Sequence, residues 1–409
     1  LTTGYLIRNG QLHDGSGAPP QVADIRTAGA QIVEIGANLP ARGETIVDAT
    51  GLIVTPGLID LHVHAFTGMG QFGLAPDEIG LRTGTTTVLD TGTAGALTYP
   101  AFHRLVIEHA REDVFALLHI SIIGCLQGHP DVPPAMGELS DARYFHVPST
   151  VACVKKYRDR LIGTKVRLTA GLADGRIENE RAAFQGALEA AKQTGTFLMV
   201  HHVASNVPTD EMLNAMRAGD IVTHLYHPQR DSAFAGPDRK PTAAALRARE
   251  RGVVLDVGHG IGSFAWSSAE PACQQHGFWP DTISTDIHQF NVHGPVHDMP
   301  TTMSKFLHLG MSLAQVIGAS THAPAQAMRL GDRFGLLKAG RQADITLLRL
   351  EQGSFDLYDV LGKTRTARQR LVPVQVIKRG ELHACRGAEL AGPSPSTWQI
   401  PSSLLPLAK

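Results

Sequence analysis

Hydrophobic and polar positions alternate in short extended runs at 5–10, 31–36 and 45–48. Gly and Pro punctuate them and no helical period intervenes. The same texture returns at 343–348 and 372–380, so the two chain ends predict one small β-sandwich built from both. Between them the rhythm changes. Segments near 52–54, 86–90, 115–123, 164–168, 196–201, 221–224, 253–256 and 282–285 read as strands. Amphipathic stretches at 180–193, 210–218 and 242–251 read as helices that separate some of them. Eight strands with intervening helices predict an α/β fold, a (β/α)8 TIM-like barrel rather than an open sheet. The expected division is 1–53 and 335–390 for the sandwich, 54–334 for the barrel, and a Pro- and Ser-rich carboxyl-terminal tail over 391–409.

Composition narrows the function classes. The 409 residues carry 37 Lys and Arg against 38 Asp and Glu, so no net field favours nucleic acid or an anionic membrane. The longest apolar runs fall short of the roughly 18 residues a membrane span needs, and the amino-terminal stretch lacks a signal-peptide pattern. Cys125, Cys153, Cys273 and Cys385 are far apart, with no CxxC pair. That spacing suggests neither a disulfide framework nor a thiolate zinc site, and the expectation is buried thiols in a reducing cytoplasm.

The sharpest local signal is the run from Pro56 to His64, an apolar strand ending in His62 and His64. Residues i and i+2 of a strand face the same way, so both imidazoles can converge on one ion. An HxH pair alone leaves core packing open as the other reading. Lys165, His201, His224 and Asp286 then fall at or near the ends of predicted strands, and in a TIM barrel those ends ring one bowl. His64 to Lys165 is three strand-to-strand steps of roughly 34 residues, and His224 to Asp286 is two of roughly 31.

These segments, together with 163–167, 220–224, 256–260 and 304–312, resemble the amidohydrolase superfamily of dihydroorotases and related binuclear hydrolases. The closer likeness is to amidohydrolase/deacetylase-type members, often labelled adenine deaminases or dihydroorotases. The resemblance implies two divalent cations, zinc by expectation. His62, His64 and Asp286 would hold one, His201 and His224 the other, and Lys165, carboxylated to a carbamate, would bridge both. It implies Asp286 as general base and acid in hydrolysis of an amide or ester, and a homo-oligomer. His202 alternates away from His201 and is expected to pack outward, and Asp60 and Asp90 read as structural acceptors.

Arg167, Thr93, His227, His259 and His288 are the candidate substrate-binding residues. Arg167 shares the strand face of Lys165 and points to a small acylated, carboxylate-bearing substrate, with an ion pair at the barrel mouth as its other reading. Relatives of this branch hydrolyse acetylated α-hydroxy acids of the mandelate type, and Thr93 departs from the serine usual there. The rival readings are a nucleobase deaminase, which would place a glutamate in an HxxE register after His201, and a non-catalytic scaffold. His202, Val203 and Ala204 follow His201 instead, and all six ligand positions are filled.

Overall fold

The computed structural model describes residues 4–70, 72–125 and 137–386; the tail expected at 391–409 lies outside them. The chain opens with β1 (Tyr5–Leu12), β2 (Gln21–Ala28), β3 (Gln31–Gly36), β4 (Thr45–Asp48) and β5 (Ile53–Pro56). The barrel strands follow as β6 (Leu58–Val63), β7 (Thr85–Gly95), β8 (Asp113–His119), β9 (Leu161–Leu168), β10 (Phe197–His202) and β11 (Ile221–Thr223). A two-stranded ribbon, β12 (Phe234–Ala235) and β13 (Lys240–Pro241), precedes β14 (Val254–Leu255). Three strands, β15 (Ile345–Tyr358), β16 (Thr364–Lys378) and β17 (Glu381–Ala384), return to the amino-terminal layer.

The two chain ends hydrogen-bond as one eight-stranded sheet in the order β17-β16-β15-β5-β1-β2-β3, with β4 on β1. The early half of β1 pairs in parallel with β4 and its late half with β5. A bulge between Ile7 and Gly10 bends β1 where its partners change. The sheet therefore curls around its own core of Ile7, Ile25, Ile32, Val47, Val54, Ile345 and Ile377. Residues 52–54, expected in the first barrel strand, belong mostly to β5 of this sheet. The barrel begins one strand later, at Leu58. The run is apolar on both sides of Gly57, so periodicity does not separate the two strands. Gly57 does, because a Cβ there would run into the Thr86 side chain.

β6, β7, β8, β9, β10, β11 and β14 form a parallel sheet in chain order, the wall of a TIM-like barrel. The expected strand at 282–285 is not regular. Parallel bridges tie Thr282 to Asp256 and Ile287 to Val63, so 282–287 connects the two edges of that sheet. Ile59, Leu61, Leu89, Phe115, Leu117, Phe197, Met199 and Ile221 form one buried cluster with Met328 and Phe334, a packed interior rather than a pore. Helix Ile177–Thr194 buries Ala183, Phe184, Ala187, Ala190 and Ala191, a stripe at helical spacing, and stops at Gly195 in the left-handed region. Lys378 joins sheet to barrel: its Nζ lies 2.7 Å from both Asp113 of β8 and Asp344.

Candidate active site

His62 lies near the end of β6 and His64 just beyond it, where a register shift between Asp60 and Val63 re-aims the chain. Asp286 is brought to them by its own backbone: its N–H donates to the His62 carbonyl at 2.7 Å, and Asn291 Nδ2 donates to the Asp286 carbonyl at 2.8 Å. Asp286 Oδ1 stands 3.3 Å from His62 Nε2 and 3.2 Å from His64 Nε2, and Oδ2 stands 4.0 Å from His224 Nε2. Lys165 is fully buried, with Nζ 3.4 Å from His62 Nε2 and 3.4 Å from Met199 Sδ. The His201 ring meets the His224 ring edge-on at 4.3 Å, and its Nε2 lies 3.1 Å from Thr169 Oγ1. Asp286 and His224 both hold positive φ, 49° and 66°, uncommon outside glycine and concentrated at functional sites.

The far nitrogens of three rings fix their tautomers. Thr223 Oγ1 donates its proton to Asp256 Oδ2, so at 3.0 Å from His62 Nδ1 it accepts. Thr93 Oγ1 donates to Asp90 Oδ2 and accepts from His64 Nδ1 at 2.7 Å. The Gly258 carbonyl, which can only accept, takes His224 Nδ1–H at 2.6 Å. Each of these imidazoles therefore turns a bare Nε2 lone pair toward Asp286. Asp286 Oδ1 and His224 Nε2 have no hydrogen-bond partner. Lone pairs facing a carboxylate with no proton between them repel, and a divalent cation among them removes the conflict, so this donor set fits a metal ion.

Electrostatics agree. Burial, reinforced by Lys165, holds His62 well below the usual imidazole range, and burial pushes His64 and His224 down to about 3. Neutral imidazole is the ligating form. Burial also lowers Lys165 to about 8, against the opposing pull of Asp286.

The structure thus brings His62, His64, His224, Asp286 and Lys165 together, with His201 against His224. The candidates for substrate contact scatter more. Thr93 spends its hydroxyl on His64 and Asp90. Arg167 is buried, its Nε 2.5 Å from Glu138 Oε1 and its guanidinium over the Phe72 ring, so the ion pair foreseen for it is present. His288 packs edge-on to Phe72, which stacks on His64. His259 takes Lys305 Nζ at 2.6 Å and stacks on Phe264. His227 lines a cavity of about 20 Å³ with His202, Met212 and Leu213. Thr223, Asp256, Gly258 and Thr169 went unnoticed as partners of the histidines. Thr223, Asp256 and Gly258 lie in segments that carry the resemblance, and Thr169 just beyond the end of β9, but neither signal tells that they hold the rings.

The amidohydrolase family profile matches residues 53–382. The chain is similar to a deacetylase of Enterococcus faecalis, 31% identical over 92% of this chain and 98% of that protein. Its fold is similar to a crystal structure titled an adenine deaminase, with a TM-score of 0.84 and 31% identity over 93% of this chain and 100% of that one. A structure titled a dihydroorotase gives 0.83 and 28% over 94% and 98%.

Proposed function

The chain belongs to the amidohydrolase family and is a hydrolytic enzyme, and from that premise we propose that it cleaves an amide or ester bond of a small acylated, carboxylate-bearing substrate. The observation that carries the reading is the set of three Nε2 lone pairs turned onto the Asp286 carboxylate. His62, His64 and Asp286 would hold one divalent ion, and His201 and His224 a second. Lys165 would bridge them as a carbamate, formed when the neutral amine adds to carbon dioxide and releases a proton. When bound, the ions supply an activated water and polarise the scissile carbonyl. Asp286 takes the proton of the attacking water and delivers it to the leaving amine or alkoxide. Thr93, Thr223 and the Gly258 carbonyl keep the imidazoles in the ligating tautomer. Arg167, its guanidinium held by Glu138, orients the substrate carboxylate.

Deamination of a nucleobase is the competing chemistry, and the absence of a glutamate in the register after His201 weighs against it. Two measurements test the proposal. The purified enzyme should contain about two divalent ions per chain and Lys165→Ala far fewer; full metal content with normal turnover in that variant would end the binuclear reading. Wild type should prefer acetylated hydroxy acids or N-acetyl amino acids to their carboxamide analogues, and Arg167→Met should lose that preference. No preference in wild type, or an unchanged one in Arg167→Met, rejects the carboxylate assignment, and rapid ammonia release from adenine establishes the deaminase.

A further inference from the structure

Beside the bowl lies a second buried set of ligand-type side chains that the hydrolytic reading does not use. His119, the last residue of β8, pairs in register with Lys165 of β9. Cys125 is tied nearby, its backbone N–H donating to the Gly92 carbonyl at 3.2 Å, and Glu138 is held by Arg167 while the carbonyl of the next residue, Leu139, accepts from Asn179 Nδ2. One ligand atom from each of His119, Cys125 and Glu138 lies within 4.8 Å of the others, and all three side chains are fully buried. From these positions we infer a separate binding site for a borderline-soft divalent cation such as Zn²⁺, with one imidazole, one thiolate and one carboxylate as ligands.

Unspent valence is the argument. His119 Nδ1 accepts the Ser121 backbone N–H at 3.0 Å, so the ring proton sits on Nε2 in the metal-free state. That nitrogen has no hydrogen-bond partner, and the nearest carboxylate oxygen, Glu138 Oε1, is 3.7 Å away. Glu138 gives Oε1 to Arg167 Nε, and its Oε2 has no partner either. Two polar atoms left unpaired in a dry interior are unfavourable. A cation bound by Glu138 Oε2 and Cys125 Sγ would satisfy the carboxylate without breaking the Arg167 pair. His119 would join through Nε2 as the imidazole proton leaves, and the Ser121 N–H would have to turn from Nδ1 as that atom takes a proton. In sum the thiol proton passes to solvent, two anionic ligands face the cation, and no oxidant or reductant is needed. Zinc bonds of about 2.0–2.3 Å put neighbouring ligand atoms roughly 3.3–3.8 Å apart, so a set spaced at up to 4.8 Å closes by at most about 1.5 Å. Mixed nitrogen, oxygen and sulfur donors suit zinc or cobalt and exclude magnesium or calcium, which take oxygen alone.

The site is separable from the proposed catalytic pair because the latter contains no thiolate. Protein stripped of metal and titrated with Co²⁺ should show a thiolate-to-cobalt charge-transfer band in the near ultraviolet. The band should disappear in Cys125→Ala and weaken strongly in His119→Gln, and persist in Lys165→Ala, whose proposed bridging ligand is gone. Failure of the hydrolytic reading would thus leave this result standing, and the reverse holds too. Wild type without the band, or a band unchanged in Cys125→Ala, overturns the inference. Should Cys125→Ala not fold, wild type and His119→Gln decide it by the same band.

Discussion

Gly92→Ala offers a test in which backbone strain and steric conflict can be measured apart. Gly92 sits in β7 with φ +89°, and a Cβ built on it would stand 2.8 Å from Lys165 Cγ and 2.9 Å from Lys165 Cβ. The left-handed backbone costs an L-residue roughly 1–2 kcal/mol. Overpacking against the stem of a fully buried lysine, which cannot swing aside, costs roughly another 1–3 kcal/mol. Gly17 is the matched control: φ is +86° and nothing lies within 4 Å of its would-be Cβ. Gly17→Ala should therefore lose about 1–2 kcal/mol and Gly92→Ala about 2–5 kcal/mol, both measured by denaturant unfolding in chelator so that metal linkage does not enter. Because the excess falls on Lys165, only Gly92→Ala should also lose metal and turnover. Equal destabilisation of the two variants, with normal metal content in Gly92→Ala, would refute the idea that the missing Cβ makes room for the lysine.

Three further outcomes are expected. Asp286→Asn should lower kcat by about 10²-fold or more, with metal content measured alongside because the same carboxylate is a proposed ligand; near-normal turnover rejects its proton-transfer role. His201→Ala should impair hydrolysis far more than His202→Ala, since His202 Nε2 is bonded to the Val207 carbonyl at 2.7 Å on the other side of β10; comparable losses would put the wrong histidine in the site. Lys378→Met should cost about 1–3 kcal/mol at neutral pH, because the buried Asp113 loses its most buried cation and keeps Arg379, Arg160 and Gln342. Burial works against the charged form of Asp113, but Lys378 and then Arg379 outweigh it and hold its carboxyl well below the usual range. Its contribution is complete above the unfolded carboxylate value near 4 and fades as pH falls through the lower folded one. The gap between wild type and Lys378→Met should therefore narrow in acid, and a gap independent of pH would refute the linkage.

Much of the fold follows from local patterning. Helix Ile177–Thr194 was legible at 180–193 because its alanine-rich stripe has the right period and Gly195 ends it. The segment 282–285 was legible as an extended stretch, yet it forms only isolated bridges, and its three hydroxyl side chains turn to buried carboxylates. Thr282 and Ser284 donate to Asp256, and Thr285 donates to Asp60. What no pattern shows is closure: the pairing of Ile287 with Val63 joins residues more than two hundred positions apart.

The site divides along the same line. The two histidines at the end of β6 could be read from their spacing, and the other proposed ligands from their places at strand ends. The direction of each hydrogen bond could not, and it is the direction that carries the chemistry. Thr223 is informative only because Asp256 takes its proton, which obliges it to accept from His62, and Thr93 stands in the same relation to Asp90 and His64. These acceptor chains strip three Nε2 atoms of protons before any ion arrives, so a cation entering the bowl meets a formed ligand shell rather than displacing protons. Lys165 is the exception. As an ammonium it would repel two divalent ions a few ångströms away, but burial holds it at about 8, close enough to neutrality for the free amine to be populated. The proposed carbamate would replace the shell's one misplaced cation with an anion, which links the lysine chemistry to the metal stoichiometry to be measured in Lys165→Ala.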